Sequence, residues 1–167
     1  MSNDFVAILM GSDSDLPLVN NTLEVLNKFN VKYEVKITSA HRTPEVTKNY
    51  VKDAEARGCK VFICAAGLAA HLAGAVAAMT VKPVIGIPVD CGPLNGVDAL
   101  YSTVMMPGGI PVATVAVGKA GAKNAGYLAA QIIAVADDDL SEKLRQERQQ
   151  CAEDVIAKDK ALQEKLC

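Results

Sequence analysis

The chain has no tryptophan, and only 4% of its 167 residues are aromatic. Its core must therefore be built from Ala, Val, Leu and Ile, and platforms of aromatic rings for stacking nucleic-acid bases are not expected. Histidine is almost as scarce, with His41 and His71 the only two. The five cysteines (Cys59, Cys64, Cys91, Cys151, Cys167) are odd in number and scattered, with no C-x-x-C pair and no histidine at ligand spacing. That pattern gives no metal site and reads as reduced thiols of a cytoplasmic protein. Blocks of like charge are missing too: 17 Lys and Arg stand against 19 Asp and Glu, a net charge of −2. Neither a nucleic acid nor a membrane surface is an expected partner, which leaves a small molecule. The start, "MSNDFVAILMGSDSD", carries an Asp before an apolar run too short for a secretion signal. One uncharged stretch, Val61 to Val81, is long enough to span a bilayer. Gly67 after a strand-like run, His71 in mid-span and a high alanine content argue against insertion.

What is present is an alternation of strand and helix signals. "FVAILM" (Phe5–Met10) is a continuous apolar run ending at Gly11, as a strand buried on both faces would be. A helix follows with Val19, Leu23, Leu26 and Phe29 at helical spacing, Ser14 or Asp15 as its cap and Pro17 in its first turn. Val31 to Thr38 alternates like a half-covered strand near a sheet edge. Thr43-Pro44-Glu45 opens a second helix with Val46, Tyr50 and Ala54 as its buried stripe, and Gly58 ends it. Lys60 to Ala65 reads as a third strand, Ala69 to Met79 as a third helix and Pro83 to Val89 as a fourth strand. A Gly- and Pro-rich loop with one short helix from Gly96 to Val104 leads to a fifth strand, Pro111 to Val117, and a helix from Ala122 to Ala136. The expectation is a three-layer α/β/α fold, flavodoxin-like and doubly wound around a parallel sheet, in a single domain. Residues 1–136 form its core and 137–167 a charged amphipathic helix. That helix carries Leu140, Leu144, Cys151, Val155, Leu162 and Leu166 at spacings of four and seven, fit to pack on its own domain or on a neighbouring subunit.

In a parallel sheet, ligands sit beyond the carboxyl ends of the strands. "GSDSD" (11–15), "SAHRTP" (39–44), "GLAAHL" (67–72) and the loop after Val89 all follow strands, so both histidines fall on one rim. Ser12, Ser14 and Asp15 equally suit a helix cap or a phosphate and sugar grip, and they match neither the dinucleotide nor the P-loop pattern. Arg42 suits a phosphate, and His41 is an imidazole, whose ordinary protonation change lies near neutral pH. His71, among Ala and Leu, reads as a buried structural residue or a substrate contact. Neither a Ser-His-Asp triad nor a carboxylate pair is visible.

"MGSDSDLP", "SAHRTP", "AAHLAG", "PVIGIPV" and "MPGGIPVATVAVGKAGAKNAGYLAAQI" stand in the order and spacing of the PurE family, which the chain resembles from about Val6 to Ile133. The resemblance implies a homo-octameric isomerase of purine biosynthesis. It would convert N5-carboxyaminoimidazole ribonucleotide to 4-carboxyaminoimidazole ribonucleotide without ATP, metal or other cofactor. It further implies His41 as the acid/base, and Ser12, Ser14, Asp15, Ser39, Ala40, Arg42, Gly67, His71 and Leu72 as contacts of the ribonucleotide. Three positions depart from the family pattern: Leu68 for a glycine, Ala73 for a proline and Met105 for a glutamine. Two alternatives remain. A carboxylase using free CO2 typically has "SAHK" and lacks the "AAHL" segment, and a non-catalytic nucleotide-binding module would use His41 only to orient its ligand.

Overall fold

The computed structural model describes residues 4–166. Its elements follow the chain as β1 (Phe5–Met10), α1 (Leu16–Lys28), β2 (Tyr33–Ile37), α2 (Pro44–Ala56), β3 (Cys59–Ala66) and α3 (Leu72–Ala77). They continue as β4 (Val84–Pro88), α4 (Val97–Val104), β5 (Ala113–Thr114), α5 (Lys119–Ala134) and α6 (Asp138–Leu166). The five strands form one sheet in the order β2-β1-β3-β4-β5, every pairing parallel. One row of the register runs Val35, Ile8, Ile63, Ile85, which shows why these segments are strands: β-branched side chains meet across the pleat.

Alternate residues of β1 feed two separate cores. Val6, Ile8 and Met10 pack with Val19 and Leu26 of α1 and with Ala122, Ala125 and Ala129 of α5. Phe5, Ala7 and Leu9 pack with Val51 and Ala54 of α2 and with Leu72, Ala73 and Val76 of α3. Small residues let α5 approach α1 closely enough for the buried Thr22 hydroxyl to donate to the Ala122 carbonyl at 2.7 Å. The three-layer α/β/α expectation is met, and β2 lies at the sheet edge as its alternation implied.

Several details differ from the sequence reading. The buried stripe of α2 is Thr47, Val51 and Ala54, with Tyr50 half-buried and Val46 turned to solvent. A hydroxyl occupies the core-facing position because Thr47 Oγ1 pairs with the buried Thr38 Oγ1 at 2.7 Å. Apolar character alone therefore mis-set the phase by one residue. The cap before α1 is Ser12, whose Oγ accepts from the Ser14 amide at 3.2 Å and starts a short 3-10 turn; Asp15 holds the N-cap position of α1 with no side-chain cap bond. The third helix begins only at Leu72, since Leu68 at φ 55° breaks the run before it. The fifth strand keeps just two ladder residues, Ala113 and Thr114. Pro111 brings no amide hydrogen to a ladder.

Of the expected stripe on α6, Leu140 is buried and Leu144 half-buried against Val25, Phe29, Tyr127 and Ala130. Glu147 fixes the third turn by pairing with Lys28 and accepting from the Tyr127 hydroxyl at 3.3 Å. Beyond it Val155, Leu162 and Leu166 are exposed, with Ile156 beside them. No helix among the described residues is long and apolar enough to cross a membrane; Val61 to Val81 is divided between β3, a turn and α3. Cys59, Cys64, Cys91 and Cys151 are free thiols, and Cys167 lies outside the described residues. Burial pushes the Cys59 thiol up to about 11 and raises that of Cys64 further.

Candidate functional site

Parallel pairing sends the loops after β1, β2, β3 and β4 to one edge of the sheet, where they enclose a cleft of about 420 Å³. Ser12, Ser14, Asp15, Ser39, Ala40, His41, Arg42, Gly67, His71 and Leu72, the ten positions singled out from the sequence, all line it. Gly11, Ala66, Leu68, Ala69 and Cys91 complete the wall. Sequence alone gives Cys91 only as one of several scattered thiols. Its place just beyond β4, on the same rim as the other loops, was the available signal for it.

The loop after β2 is held by hydroxyls. Thr43 Oγ1 accepts from the Ser39 amide at 2.9 Å and donates to the Ser39 carbonyl at 3.2 Å, while the Thr43 amide also donates to that carbonyl at 3.0 Å. Thr38 Oγ1 lies 3.2 Å from Thr43 Oγ1 and 2.7 Å from Thr47 Oγ1, which roots the turn in the core. Pro44 then enters α2 at a position where its missing amide hydrogen is not needed. On this frame the Arg42 amide donates to Ser39 Oγ at 3.2 Å, and Arg42 Nη2 reaches across to the Gly11 carbonyl at 2.8 Å. That bond uses one of the five N–H groups of a guanidinium, a fork suited to phosphate. Facing it, Ser14 Oγ donates to Ser12 Oγ at 2.9 Å and Ser12 Oγ to Asp13 Oδ1 at 3.1 Å. Burial raises the Asp15 carboxyl above its ordinary range, partly offset by the Ser12 backbone, with the nearby Asp13 charge adding to the rise.

The two histidines meet. His41 Nε2 lies 2.7 Å from His71 Nδ1, with the rings edge to face at 77° and their centroids 4.8 Å apart. One nitrogen must donate and the other accept, so the contact holds a single hydrogen between two imidazoles that are both exposed at the cleft. The contact sets two proton-carrying side chains side by side at the cleft. No group of three or more His, Cys, Asp and Glu side chains able to hold a metal ion gathers among the described residues.

The sequence and the fold match a known set of proteins. The family model described as AIR carboxylase matches residues 5–154. Among curated relatives, N5-carboxyaminoimidazole ribonucleotide mutase of Bacillus subtilis is 51% identical over 90% of this chain and 93% of its own length. The protein of that name from Synechocystis is 53% identical over 95% of this chain and 89% of its own. Among solved structures, Treponema denticola PurE superimposes with a TM-score of 0.87 at 32% identity, covering 95% of this chain and 98% of that one. With the family model matching residues 5–154 and curated relatives 51% and 53% identical over nine-tenths of its length or more, the chain belongs to the AIR carboxylase family, that of PurE.

Proposed function

We infer that the protein is an N5-carboxyaminoimidazole ribonucleotide mutase of purine biosynthesis, an isomerase that moves a carboxylate from the exocyclic nitrogen of its substrate to ring carbon C4. The observation that carries this reading is the meeting of His41 and His71 in a cleft shared with Arg42 and the Ser12–Asp15 turn. Relatives of that name are 48–53% identical to this chain. Arg42, Ser12, Ser14 and Ser39 bind the phosphate end, and Asp15 accepts from ribose hydroxyls. His41 gives a proton to the nitrogen as CO2 departs, leaving aminoimidazole ribonucleotide. CO2 then bonds to C4, and His41 takes the C4 proton, so the imidazole ends as it began. His71, at 2.7 Å, orients that ring through the cycle.

The reading extends to a homo-octamer in the cytoplasm. His41 and Arg42 are exposed in the single chain, whereas CO2 must be kept from solvent between the two steps. A neighbouring subunit placed over the cleft would supply that cover, and the outer half of α6 is available to hold it. Deleting residues 152–167, or introducing Val155→Asp with Leu162→Asp on the exposed outer half, is expected to lower both particle mass in light scattering and activity. A fully active monomer would defeat the assembly reading.

The test of the activity is isomerisation by the purified protein without ATP, compared with carboxylation of aminoimidazole ribonucleotide in bicarbonate. Faster use of free aminoimidazole ribonucleotide would assign the carboxylase reaction instead. Binding without turnover of either substrate would leave a nucleotide-binding module.

A further inference from the structure

The turn after β3 and the loop after β4 exchange space. Gly67 lacks the Cβ that would stand 2.1 Å from Cys91 Sγ, and Gly92 lacks the one that would stand 2.5 Å from Leu68 Cδ2. Each loop therefore contributes one side chain and one gap, and each gap is filled from the other loop. Leu68 takes part at φ 55°, a conformation that a bulky side chain rarely adopts. It is also 51% exposed, in the wall of the cleft. Burial does not account for a leucine here, because half its surface stays in water. Glycine, which the family pattern has at this position, would hold the same backbone without strain. Strain of this kind persists where surrounding structure enforces it, and it gathers at functional sites.

We propose that Leu68 is a positioning residue of this site: clasped on Gly92, it seals the wall between the β3–α3 and β4–α4 loops and retains CO2 beside the ring. The proposal rests on the mutase reading. In that reaction the N–C bond of the carbamate breaks, its electron pair stays on nitrogen, and the nitrogen takes a proton from His41. The new C4–C bond forms to CO2, and the C4 proton returns to His41, so the cycle needs no outside oxidant or reductant. An open wall interrupts it midway, releasing CO2 and free aminoimidazole ribonucleotide.

The experiment uses substrate labelled with carbon-13 in its carboxylate, in unlabelled bicarbonate, with an enzyme-free control, and counts label lost per product formed. Leu68→Gly is expected to raise that loss at least about threefold while KM stays within about threefold, since retention acts after binding. Leu68→Met restores near wild-type retention, and Leu68→Ala, which keeps a Cβ, falls between. Label retained by Leu68→Gly as fully as by wild type overturns the proposal. So does a Leu68→Met variant that leaks as much as Leu68→Gly, or a slower Leu68→Gly enzyme with no added leak, the result of mere loosening. A wild-type protein that fails to isomerise the substrate overturns the mutase reading, and this proposal with it.

Discussion

From Thr38 to Thr47 the first histidine-bearing loop is tied by hydroxyls, whereas the second, Gly67 to His71, contains none and is shaped by packing against Cys91 and Gly92. Inside the second loop the backbone turns on short local bonds, from the Ala70 amide to the Leu68 carbonyl at 2.9 Å and from the His71 amide to the Ala69 carbonyl at 2.8 Å. The difference follows what each loop presents. Hydrogen bonds are directional, so a braced loop can aim Arg42 and His41 at fixed points of a charged ligand. Packing is not directional but fills space, which suits a wall. His41 stands on the aiming loop, and its partner His71 stands on the wall.

The most severe break of that division is His41→Asn. Turnover is expected to fall by about 10²–10⁴-fold while substrate affinity stays within about tenfold, because the proton carrier is lost and the binding groups are kept. Stopped-flow rates with parallel titration calorimetry check this, and turnover within an order of magnitude of wild type would end the assignment. Arg42→Ala comes next and acts on binding. Losing a charge-assisted bond of about 1.5–3 kcal/mol weakens nucleotide affinity by roughly 10- to 100-fold. The nucleoside should lose far less; equal losses would remove phosphate from the account of Arg42.

Thr47→Val tests the brace itself. It removes the 2.7 Å partner of the buried Thr38 hydroxyl and leaves it Thr43 at 3.2 Å, at an expected cost of about 0.5–1.5 kcal/mol in urea unfolding, with a fall in activity from a loosened His41 loop. An unchanged midpoint would mean that the hydroxyl brace contributes nothing. The smallest effect belongs to Asp15→Asn. Burial raises the Asp15 carboxyl above its ordinary 3.8, so the folded state holds that proton more tightly than the unfolded chain. The contribution to stability is therefore full below about pH 3.8 and is lost as pH rises through the raised value. Removing the charge should raise Tm at pH 7 and not at pH 3, even as ligand binding weakens. Melting curves at the two pH values decide it, and a lower Tm at pH 7 would contradict the sign.

The sheet was legible because its strands announce themselves. β1, β4 and the part of β3 from Val61 onward are apolar runs closed by Gly or Pro, and parallel topology then brings the loops to one rim without further information. The ten cleft residues followed from that geometry and from motif likeness together. What escaped depended on partners far along the chain. Thr47 looks like a surface residue until Thr38 is placed against it, so the stripe of α2 was phased on Val46. Cys91 belongs to the cleft because Gly67 leaves room for its sulfur, a relation between positions 24 apart. The meeting of His41 and His71 could be narrowed to one rim from sequence, but the 2.7 Å contact depends on how both loops turn.

The outer half of α6 and the outward side of α4, where Val97, Tyr101 and Val104 are 50%, 63% and 44% exposed, give the isolated chain an unusual outline. A folded monomer of 17.6 kDa ordinarily presents about 7,900 Å² to water. This chain presents 9420 Å², roughly 1,500 Å² more than the size scaling gives. Much of the difference comes from α6, whose outer half projects from the domain with every described side chain beyond Gln149 exposed. Val97 and Tyr101 on α4 and Val155, Ile156, Leu162 and Leu166 on α6 are apolar side chains that the fold of a single copy leaves exposed, and a Tm that falls on dilution is the expected outcome if copies cover one another there.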